Sequence, residues 1–278
     1  MPLIQKILFP VDFSAGCVGA ARYVEALAGQ FEAEIMLIHV VSMGEHTLPE
    51  ELVPQRQTQL DLFLTDELKY FQTRRVCVTG DPASEIVDAG RRWNPDLVMM
   101  PTHGMGVFRR FLLGSVTAKV LHDLECPVWT GVHSESAPRL EDIHCRRILC
   151  ALDLVDRSRS ILDWAASMAT EYQAALGIVH AMPELPPEYK FWALAKEYSQ
   201  HVHENAKRHI EMLQVAAGTT AQVFLNFGDP AKAVTCAARQ FGADLLVMGR
   251  HSRAGISGYL QHHAYAILRD SPCPVISI

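Results

Sequence analysis

The residues of this chain best suited to chemistry are a few glycines, a serine and an aspartate. Gly104 and Gly106 lie in the run Pro101-Thr102-His103-Gly104-Met105-Gly106, and Gly114-Ser115 follows shortly after. Glycine tolerates positive φ and lets an anion approach the backbone closely. A Gly-Ser pair that opens a helix adds unpaired N–H groups and the positive end of the helix dipole, which together favour a phosphate. The Ser115 hydroxyl offers one more donor. Asp12, just past a short apolar run, suits a ribose hydroxyl or a metal ion beside phosphates. A plainer reading also exists, in which Gly-Ser is an N-cap and Gly104 a turn residue. Neither Gly-x4-Gly-Lys-Ser/Thr nor Gly-x-Gly-x-x-Gly occurs, so the sequence supports neither a P-loop nor a dinucleotide fingerprint. Lys119, one helical turn after Ser115, is expected to face solvent.

These residues need a scaffold, and the hydrophobic pattern supplies one. Ile7–Pro10 is a short apolar run, followed by Asp12 and Ser14 as helix-start residues. Apolar residues then recur at helical spacing from Ala15 to Gln30. Ile35–Val41 is apolar without alternation, as a parallel strand covered on both faces should be. Helix is expected from about Pro49 to Phe71, over Pro82–Trp93, and from Ser115 to about Leu124. Strands are expected at Arg75–Thr79, Leu97–Met100 and Pro127–Val132. Strand and helix thus alternate five times, which calls for a doubly wound α/β domain with a mostly parallel five-stranded sheet and helices on both faces. Open sheets of this kind bind ligands beyond the carboxyl ends of their strands, where strand order reverses.

The pattern then repeats. Ile7–Asp12 returns as Ile148–Asp153, an offset of 141 residues, and Leu37–Val40 returns around His180. Gly80-Asp81-Pro82-Ala83 returns as Gly228–Ala231, now at an offset of 148, and Cys126-Pro127-Val128 as Cys273-Pro274-Val275. Strands of the second copy are expected at Ile148–Leu152, Leu176–His180, Gln222–Asn226, Leu245–Met248 and Val275–Ile278. A long helix from about Pro187 to Ala216 accounts for the change of offset. Two whole domains follow, 1–133 and 146–278, with a linker of Ser, Pro and charged residues between them.

Composition narrows the function. A net charge of −6 argues against a general nucleic-acid binder. No run is long enough to cross a bilayer and no leader pattern precedes the first strand, so no membrane partner and a cytoplasmic location are expected. Seven cysteines without a Cys-x-x-Cys pair read as buried thiols in a reducing compartment, with no metal site. His201 and His203 sit two apart on a helix and point away from each other. His262-His263 and His251 read as surface or packing residues. No catalytic constellation emerges: Gly-x-Ser-x-Gly and His-Glu-x-x-His are both absent.

Thr102-His103-Gly104, nine residues, Gly114-Ser115 and then Cys126-Pro127-Val128 resemble the universal stress protein family. So do Ile7–Ser14, Leu37–Val40 and Gly80–Pro82, and because the pieces occur twice the chain resembles a tandem member of it. The resemblance implies a phosphate loop of the form Gly-x2-Gly-x9-Gly-Ser/Thr. Gly104, Gly114 and Ser115 match it, and Pro101 replaces its first glycine, removing one backbone donor. It implies that Pro10, Asp12, Val40 and Met100 surround adenine and ribose, and that Gly104, Gly114, Ser115, Val116 and Thr117 line the phosphates. ATP is the implied ligand, with AMP or ADP as variants and Mg accompanying ATP. In the second copy Gly249 restores the first glycine, but Ser252, His262 and His263 stand at the other positions and Ala181 at that of Val40. That copy is expected not to bind ATP in the family manner, and Asp153 to cap a helix. The resemblance also implies an internal pseudo-dimer through the final strands of the two domains, with a homodimer as a further assembly. The expected role is a nucleotide-responsive regulatory or binding module of the stress response, with slow ATP hydrolysis at most. The alternatives are a nucleotide-independent scaffold, a weak hydrolase or phosphotransferase, and a small-ligand or metal binder in the second copy that uses His251 or His262.

Overall fold

A computed structural model describes residues 3–42, 49–102, 113–131, 138–184, 192–250 and 259–278, and at 49–51, 192–194 and 259–262 the backbone alone. The chain divides into two compact units, Met1–His144 with Ser277, and Cys145–Ile276 with Ile278.

In the first unit β1 (Lys6–Pro10), β2 (Glu34–Val41), β3 (Thr73–Thr79), β4 (Leu97–Pro101) and β5 (Val128–Gly131) form a sheet in the order β3-β2-β1-β4-β5. Neighbouring strands run parallel, with Ile7 opposite both Ile35 and Leu97, and Pro101 opposite Gly131. Strand order reverses between β1 and β4, so a crevice opens beyond their carboxyl ends. The helices are α1 (Ala15–Phe31), α2 (Pro49–Leu62), α3 (Pro82–Trp93) and α4 (Ser115–Asp123). Along α1, Cys17, Ala20, Ala21, Val24, Leu27, Ala28 and Phe31 are buried, the three-and-four spacing of one helical face. Ser14 caps this helix by accepting from the Cys17 N–H at 3.3 Å, and Asp81 caps α3 by accepting from the Ser84 N–H at 3.0 Å, with Pro82 in the first turn.

The second unit repeats the arrangement. Its strands β6 (Arg147–Ala151), β7 (Ala175–Met182), β8 (Gln222–Phe227), β9 (Leu245–Met248) and β10 (Val275–Ser277) are ordered β10-β9-β6-β7-β8. Its helices are α5 (Ser158–Tyr172), α6 (Trp192–Ala217), α7 (Pro230–Phe241) and α8 (Tyr259–Asp270). The expected doubly wound class and parallel sheets are both present.

The helix expected from Pro49 to Phe71 is shorter than its pattern suggests. It ends at Leu62, and Leu64 takes a left-handed conformation with φ +56°. Leu64 and Leu68 are nevertheless buried, 7% and 2% exposed. The start expected for α6, Pro187, and most of the linker's first half lie outside the described residues. In the remainder of the linker a short 3-10 turn spans Leu140–Asp142. Among the described residues no helix is long and apolar enough to cross a membrane. All seven cysteines are described and none forms a disulfide; Cys17, Cys150 and Cys273 are buried and Cys236 is exposed.

Candidate functional site

The carboxyl ends of β1, β2 and β4 meet the start of α4 around a cavity of about 680 Å³. β1 delivers Pro10 and Asp12, β2 delivers Val40, β4 delivers Met100 and Pro101, and the α4 start delivers Gly114, Ser115, Val116 and Thr117. Every one of the expected site residues that the structure describes therefore lines one space. Gly104 lies outside the described residues, as does Gly106.

Each contributor is held by local hydrogen bonds. The Asp12 Oδ1 atom accepts from the Ser14 N–H and from the Cys17 thiol, both at 3.0 Å, which closes the β1–α1 turn. Burial, followed by the adjacent Asp12 charge, pushes the Cys17 thiol up to about 12, so it stays protonated at neutral pH and serves as a donor. The turn runs through Phe13 at φ +61°. The Gly114 N–H donates to the Thr102 carbonyl at 3.0 Å, so the chain that leaves β4 is tied where it re-enters at α4. The Thr117 hydroxyl, 3% exposed, donates to the Pro101 carbonyl at 3.3 Å and pins α4 to β4. That bond uses the one hydroxyl proton of Thr117, so the side chain positions α4 and has no further donor to offer.

α4 differs from α1 and α3 at its start. Gly114 is its N-cap and offers no side-chain hydrogen bond. The first-turn N–H groups of α4 thus lack the side-chain acceptor that Ser14 and Asp81 give the other two helices, and Gly114, Ser115 and Val116 all border the cavity. Lys119 does not join them. Its ammonium lies 2.9 Å from Ser84 Oγ and 3.3 Å from Asp81 Oδ1, so it joins α4 to the cap of α3.

Phe13, Cys17, His39, Leu52, Arg56, Gln59, Pro82 and Ile86 line the cavity as well, and sequence reasoning did not name them as site residues. His39 was visible only as part of the repeated Leu37–Val40 segment. Leu52, Arg56 and Gln59 belong to no motif. They reach the cavity because α2 packs over β2 and β3, which a single sequence does not reveal.

The His39 Nδ1 lies 2.8 Å from the Val11 carbonyl, and His180 Nδ1 lies 2.8 Å from the Leu152 carbonyl. Facing a carbonyl, each Nδ1 carries the proton and donates. Burial is the main cause holding both imidazoles below the ordinary 6.5. Stability from this source is full above that value and is lost as pH falls below it, because the unfolded chain takes up protons that the fold refuses. The thermal midpoint is therefore expected to fall from about pH 7.5 to about pH 5.5, and to fall less in the double variant His39→Asn/His180→Asn. Asp81, Asp123 and Asp270 are held below their ordinary 3.8 and titrate outside this window. An unchanged slope in the double variant would refute the assignment.

Comparison with known proteins places this geometry. The model of the universal stress protein family matches residues 3–130 and again 144–278. The chain belongs to the universal stress protein family. It is 30% identical over 137 residues to Universal stress protein MJ0531 of Methanocaldococcus jannaschii, a match spanning 45% of this chain and 81% of that protein. It is likewise 30% identical over 145 residues to Universal stress protein A homolog 1 of Coxiella burnetii, spanning 49% of this chain and 97% of that protein. The crystal structure of a universal stress protein from Archaeoglobus fulgidus shares the fold with a TM-score of 0.73 at 22% identity, over 98% of this chain and 95% of that one. The family thus occurs here as two tandem copies.

The second universal stress protein unit keeps the turn and changes the loop end. Asp153 Oδ1 accepts from the Val155 N–H at 3.3 Å and from the Ser158 hydroxyl at 3.1 Å, with Ser158 standing for Cys17. It closes the turn rather than capping α5 as expected, because the N-cap of that helix is Arg157, which makes no side-chain cap bond. His263, at the position of Ser115, places Nδ1 3.3 Å from Asp229 Oδ2 on the cap of α7. Ser252 and His251 lie outside the described residues, as does the side chain of His262. A Cβ on Gly249 would come within 2.7 Å of Ile161 Cδ1. The repeat offsets align Ile161 with Ala20 and Gly249 with Pro101. At the position of Pro101 the second unit thus leaves room for an isoleucine, where the first has a ring and, on α1, only an alanine.

Proposed function

We propose that the first unit binds ATP or a related adenine nucleotide, and that the protein acts as a nucleotide-responsive regulatory or binding module of the stress response. One observation carries the reading: a cavity of nucleotide dimensions in which an uncapped helix start, Asp12 and apolar walls from β1, β2 and β4 converge at the strand-order reversal. In this reading the phosphates meet the first-turn N–H groups of α4 and the Ser115 hydroxyl. Pro10, Val40 and Met100 enclose the base and ribose. Asp12 faces the ribose hydroxyls or an accompanying magnesium ion, and its Oδ1 is already committed to the turn, which favours a holding role over proton transfer. Membership of the universal stress protein family supports the reading, and the second unit, with His263 drawn to Asp229, is assigned no nucleotide.

Calorimetric titration of the full chain with ATP and AMP, each with magnesium, tests it. One site per chain with dissociation in the micromolar range is expected, near −8 kcal/mol as an order of magnitude. No heat at about millimolar ligand, where binding would be worth only about −4 kcal/mol, would remove the proposal. Two equal sites would overturn the assignment to the first unit.

A further inference from the structure

The α2 side of the cavity carries polar groups that the phosphate end does not use. β2, β1 and β4 are adjacent in the sheet, so the walls built on β2 and β4 stand about 10 Å apart at a strand spacing of about 4.8 Å. A ligand whose phosphates meet α4 turns its far end toward His39, Arg56 and Gln59, all of which line the cavity. His39 gives its Nδ1 proton to Val11, which leaves Nε2 an acceptor, and that atom has no hydrogen-bond partner among the described residues. Arg56 has only donors, and its Nη1 is oriented by Gln59 Oε1 at 2.7 Å. One cavity thus holds an acceptor on His39 and donors on Arg56, with the Phe13 ring centroid 4.4 Å from that of His39.

That pair matches one kind of purine. Adenine presents an amine donor at C6 beside a ring-nitrogen acceptor, whereas a 6-oxopurine presents an oxygen acceptor at C6. With ribose and phosphates fixed, the base cannot exchange these positions. We propose that His39 and Arg56 read the base and select a 6-aminopurine over a 6-oxopurine, an inference that rests on the reading of the cavity as a nucleotide site. His39 Nε2 accepts from the C6 amine, and Arg56 donates to the neighbouring ring nitrogen. An oxygen at C6 would face the His39 lone pair and leave both polar groups poorly matched. The Arg56 charge, after burial, also disfavours protonation of His39, which preserves the acceptor. The second unit shows which part is particular to the first: His180 repeats the Nδ1 anchor at 2.8 Å from the Leu152 carbonyl, but no arginine is among the groups that act on its protonation.

The test compares magnesium ATP with magnesium ITP, which differ at the C6 substituent and the adjacent ring nitrogen, on the full chain. Wild type is expected to prefer ATP by about tenfold or more. His39→Asn retains an amide donor for the Val11 carbonyl but has no Nε2, so the preference should collapse toward unity with the thermal midpoint largely kept. Arg56→Met, on the more exposed wall, should weaken ATP more than ITP and serves if the first variant folds poorly. Equal binding of ATP and ITP by wild type overturns the base reading and leaves the site intact. An ATP/ITP ratio unmoved by both variants overturns it too. Failure of wild type to bind either nucleotide removes the site reading and this inference together.

Discussion

Trp129→Ala is expected to destabilise the first unit by ~3–5 kcal/mol, seen as a lower denaturant midpoint. Trp129 is 1% exposed on β5 and heads the largest fully buried side chains among the described residues. Its ring centroid lies 5.0 Å from that of Tyr23 on α1, so removing the indole empties the contact between sheet and helix. Gly131 belongs to the same arrangement. Residues two apart on a strand share a face, and a Cβ on Gly131 would meet Trp129 Cη2 at 2.5 Å and Cζ3 at 3.0 Å. A rigid indole cannot yield as an aliphatic tip can, so Gly131→Ala alone should cost ~1–3 kcal/mol. In a Trp129→Leu background the same glycine substitution should cost much less, which makes the cycle strongly non-additive. Additive losses would show that Gly131 is constrained by something other than the ring.

Much of the scaffold was legible because each signal had a local cause. Asp81-Pro82 opens α3 and Asp229-Pro230 opens α7 through cap bonds that span only three residues. The buried parallel strands announce themselves as unbroken apolar runs because helices cover both faces. Asp12, Gly114 and Ser115 were legible for the same reason, since a turn and a helix start are written in adjacent residues. What stayed hidden depends on packing between distant segments. Nothing near Arg56 in the chain indicates that α2 leans over β2, and the end of α2 at Leu62 is hidden because Leu60, Leu64 and Leu68 keep helical spacing past it while Leu64 turns left-handed. Pro101 illustrates the middle case. Its missing donor is evident from its chemistry, but the close approach of Ile161 to its counterpart Gly249 is not. Lys119 is a smaller instance, exposed as expected yet bound to Asp81 and Ser84.

Gly114→Val should abolish most nucleotide binding and leave the fold nearly intact, a combination few substitutions at this site can offer. Gly114 sits at φ −60° and ψ 142°, extended backbone that valine adopts without strain. Its own N–H and carbonyl bonds, to Thr102 at 3.0 Å and from Ala118 at 2.8 Å, involve no side chain. The added isopropyl group instead occupies the border of the cavity where the first N–H groups of α4 emerge. Keeping a phosphate from two such donors removes hydrogen bonds to a charged group worth ~1.5–3 kcal/mol each, so affinity should drop on the order of a hundredfold or more. Ser115→Ala removes one hydroxyl donor and should cost only about tenfold. The pair thus ranks backbone above side chain as the phosphate-holding element. Binding that survives Gly114→Val would move the phosphates away from α4, and with them the case for a nucleotide held at the strand-order reversal.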